Sequence, residues 1–219
     1  MSIDKDKLFL YAVTGTGDLS KHKPAITLPE AVSAACCGGA TMIQFRDKTL
    51  SDENFLETAL QLREITCSYG IPLIINDRAE IVIHCNADGL HIGQNDISPE
   101  EARQIIGNDK ILGVSARTVD QAKAAADAGA DYLGVGDIFG SSSKNDAQRV
   151  SYDIMNQICG AVNIPVVAIG GITLERIPSL KGCSIAGIAT ISAIFSAKDI
   201  CKATAELKKS LLEIIDIQA

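Results

Sequence analysis

The chain has 219 residues, of which 47% are hydrophobic and 21% are charged, and its formal net charge is −7. This composition is that of a globular protein with a substantial core. The acidic balance argues against general nucleic-acid binding, and no apolar run reaches the roughly 18 residues that span a bilayer.

The cysteines and the N-terminal residues indicate a reducing compartment. The seven cysteines are an odd number and contain no Cys-x-x-Cys pair, so we interpret them as free thiols. Residues 1–13 carry acids beside the lysines and lack a small-residue cleavage site, so they do not predict a signal peptide. We therefore expect a cytoplasmic protein with no membrane partner, and the sequence leaves a homo-oligomer open.

Short β-rich runs recur along the chain, and a helical pattern follows each of them. The runs are apolar on successive residues, as expected of strands buried on both faces. The predicted strands are 8–13, 41–45, 72–76, 88–92, 110–114, 131–135, 165–169 and 185–190. The predicted helices are 28–37, 51–68, 78–85, 98–106, 119–128, 151–160, 173–180 and 199–215.

This alternation predicts an α/β fold, a (β/α)8 (TIM) barrel formed by a single domain over residues 1–219. Eight units of about 27 residues correspond to the compact end of that architecture. A doubly wound parallel sheet is the competing fold, but no Gly-x-Gly-x-x-Gly motif follows any predicted strand.

Polar and glycine residues collect where the predicted strands end, which in a barrel is the ligand-binding rim. Strands two to five lead into polar side chains, and strands seven and eight lead into glycines and a serine. These candidate site residues are Gln44, Arg46, Lys48, Asn76, Asp77, Asp96, Ser115, Gly171, Ile191 and Ser192.

Each group also has a structural interpretation. Arg46 and Lys48 are either solvated surface charges or two cations that hold a phosphate together, because alternate residues of an extended segment face the same way. Asp77 and Asp96 either cap the helices that follow them or supply the hard oxygen ligands that Mg²⁺ prefers. His91 is interpreted as a hydrogen-bonded structural histidine rather than a catalytic base.

The stretch IFGSSSKNDAQ (138–148) follows the sixth predicted strand. Its composition is typical of a flexible linker. Its position at the rim favours a second interpretation, in which Ser141, Ser143 and Lys144 bind an anionic group. Loops rich in glycine and serine close over ligands readily, so we expect this segment to be mobile.

The sequence resembles the thiamine-phosphate synthase (thiamine-phosphate pyrophosphorylase) family over nearly its full length. The resemblance rests on the blocks LYAVTG, GATMIQFRDK, PLIINDRAEI, ADGLHIGQND, ILGVSART, GADYLGVGDIF, IPVVAIGGI and GIATISAIF, in family order and spacing. It implies a transferase that joins 4-amino-2-methyl-5-hydroxymethylpyrimidine diphosphate to a thiazole phosphate. The products implied are thiamine phosphate and pyrophosphate, formed by a dissociative, Mg²⁺-assisted mechanism.

The resemblance also implies roles for the rim residues. Those assigned to the diphosphate are Arg46, Lys48, Asn76 and Lys144, and those assigned to Mg²⁺ are Asp77 and Asp96. Gln44 and Ser115 would contact the pyrimidine or its leaving group. The thiazole phosphate would be held by Ser141, Ser143, Gly171, Ile191 and Ser192. Arg46, Lys48, Ser115 and Lys144 are the implied catalytic residues.

The sequence departs from the family pattern at few positions. Gly140 replaces a proline, Ser141 and Ser143 replace threonines, and Arg176 replaces a common asparagine; the loop after Lys144 is also short. Two alternative functions follow from the barrel: a thiazole tautomerase-like enzyme, which would not need both the acidic pair and the two cations, or a non-catalytic sensor of a phosphate ligand.

Overall fold

The computed structural model describes residues 3–15, 18–21, 25–140 and 149–215. In this part of the chain, parallel strands pair in sequence order, and β8 returns to pair with β1, so the sheet closes into a barrel. Closure confirms the predicted (β/α)8 fold and excludes the doubly wound sheet. The strands are β1 Leu10–Val13, β2 Met42–Phe45, β3 Leu73–Asn76, β4 Gly89–Ile92, β5 Ile111–Ala116, β6 Tyr132–Val135, β7 Val166–Ile169 and β8 Gly187–Thr190.

Helices surround the barrel, and side-chain caps fix where several of them begin. Ser51 accepts a hydrogen bond from the backbone of Asn54, as an N-cap should. Thr27 and Ser98 each open a helix with a complete capping box. The helices are α1 Leu28–Cys37, α2 Asp52–Ser68, α3 Ala79–His84, α4 Pro99–Ile106, α5 Val119–Asp127, α6 Tyr152–Ala161, α7 Ser192–Phe195 and α8 Ile200–Leu212.

The segment after β7 differs from its prediction. A helix was expected over 173–180, and the structure has a 3-10 helix at Leu174–Leu180 with Pro178 inside it. Proline has no backbone N–H to donate, so an α-helix cannot continue through it. The four-residue helix α7 was not predicted, because so short a segment has no readable hydrophobic period.

Side chains alternate between two hydrophobic layers. One set of strand residues packs outward against the helices, and a second cluster, which includes Tyr11, Met42, Ile74, Tyr132 and Val167, fills the inside of the barrel. This alternation follows from the two-residue period of a strand. It makes the barrel interior a packed core whose upper layer borders the ligand-binding rim.

Within the described residues, no helix combines the length and the apolar character that crossing a membrane requires.

Candidate active site

The predicted site residues of β2 to β5 meet at the carboxyl end of the barrel. Gln44 and Asn76 are buried residues of β2 and β3, and Ser115 is a half-buried residue of β5. The loops that leave these strands carry Arg46, Lys48, Asp77 and Asp96. The structure therefore gathers in one region residues that are up to 71 positions apart in sequence, from 44 to 115.

Asp77 and Asp96 form a carboxylate pair at the ends of β3 and β4. Burial and then the hydrogen bond and charge of Asp96 raise the pKa of Asp77 from 3.8 to about 6, while Lys48 opposes the shift. Lys48 Nζ lies 3.7 Å from Asp77 Oδ2. Direct contact between two carboxyl groups is unfavourable when both are ionised, so this pair is built to share a proton or a cation.

Neither aspartate caps a helix. The N-cap of α4 is Ser98, and the N-cap position of α3 is Arg78, whose side chain makes no capping bond. Asp96 Oδ2 instead accepts a hydrogen bond from the backbone N–H of Gly93 at 2.7 Å. Asp77 has a φ of 64°, a left-handed conformation that non-glycine residues rarely adopt and that recurs at functional sites. The helix-capping interpretation is therefore wrong for both residues.

The pair fits a divalent, oxygen-seeking cation. Two carboxylates are what Mg²⁺ takes from a protein when waters and substrate phosphates complete its octahedral shell. A site with more protein ligands is absent from the described ranges, in which no group of three or more His, Cys, Asp or Glu side chains is placed to hold a metal. The donor set therefore matches Mg²⁺ held jointly with a diphosphate better than a zinc-type site.

Hydrogen bonds to Arg46 and to the residues that follow it hold the loop after β2 in place. Thr14 Oγ1 donates to the Arg46 carbonyl at 3.0 Å and accepts from its N–H at 2.8 Å. Asp47 Oδ1 accepts hydrogen bonds from Thr49 N, Thr49 Oγ1 and Leu50 N. Partial burial opposes ionisation of Asp47, but these hydrogen bonds outweigh it and lower its pKa. The backbone that carries Arg46 and Lys48 is thus fixed before any ligand binds.

Asp47 was not predicted as a site residue. Its sequence signal is local: an aspartate two residues before a threonine is typical of a turn in which the carboxylate binds its own backbone.

The floor of the site is a chain of hydrogen bonds across the barrel interior. Gln44 Nε2 lies 2.7 Å from Tyr11 Oη, which lies 2.9 Å from Tyr132 Oη. His91 Nδ1 is 3.0 Å from Tyr132 Oη, and His91 Nε2 is 3.0 Å from Ser115 Oγ. Both ring nitrogens of His91 thus have partners, as its interpretation as a hydrogen-bonded histidine predicts. Tyr11 and Tyr132 were not singled out, because tyrosines within apolar strands are indistinguishable from core residues.

The opposite side of the rim contains glycines and the start of α7. Gly171 has a φ of 65°, which lets its backbone turn sharply after β7. Ile191 occupies the N-cap position of α7 and Ser192 its first residue. Ser141, Ser143 and Lys144 lie outside the described residues, so their predicted roles stay predictions.

A cavity of about 420 Å³ is lined by residues that include Phe139, Arg149 and Arg176. Arg176 Nη1 donates to the Gly171 carbonyl at 2.6 Å, and its guanidinium lies 5.3 Å from the centre of the Phe139 ring. The arginine that departs from the family pattern therefore braces the glycine turn after β7. Arg149 was not predicted as a site residue, because a single arginine after a polar loop is typical of a solvated surface charge.

Comparison with known proteins agrees with this geometry. The family model described as thiamine monophosphate synthase matches residues 10–194. The thiamine-phosphate synthase of Ruminiclostridium cellulolyticum is 50% identical over 188 residues, covering 86% of this chain and 88% of that protein. The thiamine-phosphate synthase of Clostridioides difficile is 46% identical over 216 residues, covering 97% and 100%.

A solved structure extends the likeness to three dimensions. The thiamine phosphate pyrophosphorylase of Pyrococcus furiosus superposes with a TM-score of 0.87 at 34% sequence identity, covering 97% of this chain and 99% of that one. The matching family model spans most of the chain, and the relatives cover nearly all of it. The chain belongs to the thiamine monophosphate synthase family.

Proposed function

We propose that this transferase of thiamine biosynthesis joins 4-amino-2-methyl-5-hydroxymethylpyrimidine diphosphate to a thiazole phosphate, releasing pyrophosphate and forming thiamine phosphate. The observation that carries the proposal is the grouping of Asp77, Asp96 and Lys48 above a buried polar floor at the carboxyl end of the barrel. Two carboxylates and a cation in one cleft are the groups that a metal-bound diphosphate requires.

The reaction begins with departure of the diphosphate from the methylene carbon of the pyrimidine. The leaving group gains negative charge while the aminopyrimidine delocalises the positive charge. Arg46, Lys48 and Lys144 are the fixed cations proposed to stabilise the leaving group as this charge develops. Asn76 and Ser115 are proposed to orient it through hydrogen bonds.

Asp77 and Asp96 are the residues that would hold Mg²⁺, which, when bound, neutralises phosphate charge in the transition state. Lys48, 3.7 Å from Asp77 Oδ2, stands beside the pair, so its ammonium is in position to contact the same phosphate oxygens.

The thiazole nitrogen then attacks the methylene carbon. Its phosphate is proposed to bind Ser141, Ser143, Gly171, Ile191 and Ser192, at a distance from the reacting atoms, so that the ring approaches in one orientation. Gln44 is proposed to hold the pyrimidine at the barrel floor. No side chain needs to act as a covalent nucleophile.

We propose that residues 1–219 form one barrel domain. The strands and helices of the described part run from Leu10 to Leu212 around a single closed sheet. All seven cysteines are free thiols, which supports a cytoplasmic location as part of the proposal. The proposed partners are the two small-molecule substrates.

Pyrophosphate release from the two substrates, measured with Mg²⁺ and with EDTA, tests the proposed function. Release that depends on both substrates and on Mg²⁺ is expected. A folded protein that releases no pyrophosphate with Mg²⁺ present contradicts the synthase and leaves the phosphate sensor. Proton exchange on the thiazole without pyrophosphate release would identify the tautomerase.

A further inference from the structure

The hydrogen-bond chain beneath the site runs through five side chains on five strands. In order it joins Gln44, Tyr11, Tyr132, His91 and Ser115, with donor–acceptor distances of 2.7, 2.9, 3.0 and 3.0 Å. Its two ends are residues assigned to the substrate site, and its three central members are not. These hydrogen bonds thus link two site residues that lie three strands apart around the barrel.

The number of protons on each group shows which atom donates and which accepts in each of these hydrogen bonds. Burial raises the pKa of both tyrosine hydroxyls, so each keeps its one proton and can donate once. An amide nitrogen has no acceptor capacity, so Gln44 Nε2 donates to Tyr11. Tyr11 then donates to Tyr132, because a donation in the reverse sense would leave the buried Tyr11 proton without an acceptor among the described residues. Tyr132 in turn donates to His91 Nδ1.

The direction continues through the imidazole ring. A neutral His91 whose Nδ1 accepts must carry its proton on Nε2, which therefore donates to Ser115 Oγ. The Ser115 oxygen receives that hydrogen bond, and its own hydrogen remains to be donated elsewhere. Every bond in the chain thus runs from Gln44 towards Ser115.

We infer that Tyr11, Tyr132 and His91 are positioning residues that transmit the orientation of the Gln44 amide across the barrel and leave the hydrogen of the Ser115 hydroxyl to be donated to the substrate. The inference rests on the proposed function in one respect, which is that Gln44 and Ser115 face the substrate. An acceptor atom opposite Ser115, such as an unprotonated pyrimidine nitrogen or a diphosphate oxygen, would receive that hydrogen bond.

Two glycines leave the space that these rings occupy. A Cβ at Gly113 would collide with the Tyr132 ring, and a Cβ at Gly134 would lie 3.1 Å from His91 Cε1. The two glycines belong to β5 and β6, and Gly113 pairs directly with Tyr132 in the sheet. Because the rings fit against bare backbone, their hydroxyl and imidazole groups have little freedom to choose other partners.

The tautomer of His91 tests the direction without any substrate. In the ¹⁵N-labelled protein carrying His22→Gln and His84→Gln, long-range ¹H–¹⁵N correlation reports which nitrogen of the remaining histidine carries the proton. The Nε2–H tautomer is expected. An Nδ1–H tautomer reverses the direction of the chain and overturns the inference, whatever reaction the protein catalyses.

Two tyrosine substitutions test transmission. Tyr132→Phe removes the hydroxyl that donates to His91, so the Nδ1 resonance should move towards that of an acceptor with no hydrogen bond. Tyr11→Phe removes the hydroxyl that donates to Tyr132 and so weakens the polarisation of the next bond, which should shift this resonance in the same direction by a smaller amount. An Nδ1 resonance that ignores either change contradicts the inference.

Kinetics then test the consequence for the substrate. Tyr132→Phe should raise the KM for the pyrimidine diphosphate or lower kcat, for a combined loss of about tenfold in kcat/KM, and leave the KM for the thiazole phosphate unchanged. Tyr69→Phe is the matched control, because its hydroxyl also makes a side-chain hydrogen bond, to Ser33, but on the exposed helical layer. Equal kinetics for Tyr132→Phe and Tyr69→Phe would overturn the positioning role. If the wild-type protein shows no turnover, the proposed function fails. The tautomer measurement still decides the direction of the hydrogen bonds between Gln44 and Ser115.

Discussion

The carboxyl groups of Asp77 and Asp96 contact one another at the ends of neighbouring strands, although neither group caps the helix that follows it. A fold gains no stability from placing two partly buried carboxylates together, since burial and then their repulsion raise the pKa of one of them. Such an arrangement persists where a cation or a proton occupies the space between them during function.

Asp77→Asn should raise the stability of the metal-free protein and lower its activity. The folded-state pKa of about 6 exceeds the ordinary 3.8, so at pH 7.5 the ionised carboxylate costs the metal-free fold free energy. The amide removes that cost and should raise the free energy of unfolding in EDTA by about 1–3 kcal/mol. Turnover should fall about 100-fold or more, because one metal ligand is lost.

Thermal melting against Mg²⁺ concentration measures the binding part of this prediction. Mg²⁺ with pyrophosphate should raise the melting temperature of the wild type and not that of Asp77→Asn. Asp127→Asn is the control, because Asp127 is an exposed residue at the end of α5, on the opposite face of the barrel. If Asp77→Asn keeps the wild-type turnover rate and the wild-type rise in melting temperature with Mg²⁺, Asp77 is not a metal ligand.

Lys144→Ala should lower kcat. Its ammonium is proposed to meet the leaving diphosphate, where removing one fixed charge costs about 10²–10³ in rate. Steady-state kinetics with both substrates saturating provide the measurement, and Lys123→Ala, an exposed lysine of α5, is the control. An effect confined to KM would assign Lys144 to binding alone.

Asp47→Ala should weaken binding of the pyrimidine diphosphate and leave the carboxylate pair of Asp77 and Asp96 unchanged. Its carboxylate accepts the hydrogen bonds from Thr49 and Leu50 that fix the loop between Arg46 and Lys48. Loss of these bonds should raise KM about 5–30-fold. Asp47→Asn keeps a carbonyl oxygen at the same place and should stay close to the wild type. Equal KM values for the two variants would show that the turn does not position the cations.

Gly113→Ala should destabilise the fold more than a buried methyl group normally does. Its Cβ would overlap the Tyr132 ring inside the barrel, and overpacking of this kind should cost about 3 kcal/mol. Gly160→Ala provides the contrast, because no atom lies within 4 Å of its Cβ position in α6. That change should add about 0.5–1 kcal/mol of stability. Urea denaturation of the two variants gives the comparison, and a tolerated alanine at 113 would contradict the packing around Tyr132.

The barrel itself was predictable because its signal is local and repeated. Each strand is a short apolar run and most of the helices begin at a side-chain cap, so the element order could be read without knowing any contact. The exceptions have local causes: Pro178 converts an expected helix into a 3-10 helix, and α7 is too short to show a period. The rim residues were predictable for a related reason, since parallel strands of a barrel all end on the same side.

The sequence by itself determined the family, the acidic pair and, within the described residues, which side chains lie at that rim. Only the tertiary structure decided what those residues touch. Tyr11 and Tyr132 are 121 positions apart, yet their hydroxyls are 2.9 Å apart in the barrel, and nothing in either strand distinguishes them from ordinary core aromatics. The physical reason is that strand alternation fixes the face on which a side chain lies, whereas its partner across the barrel depends on closure and register of the whole sheet.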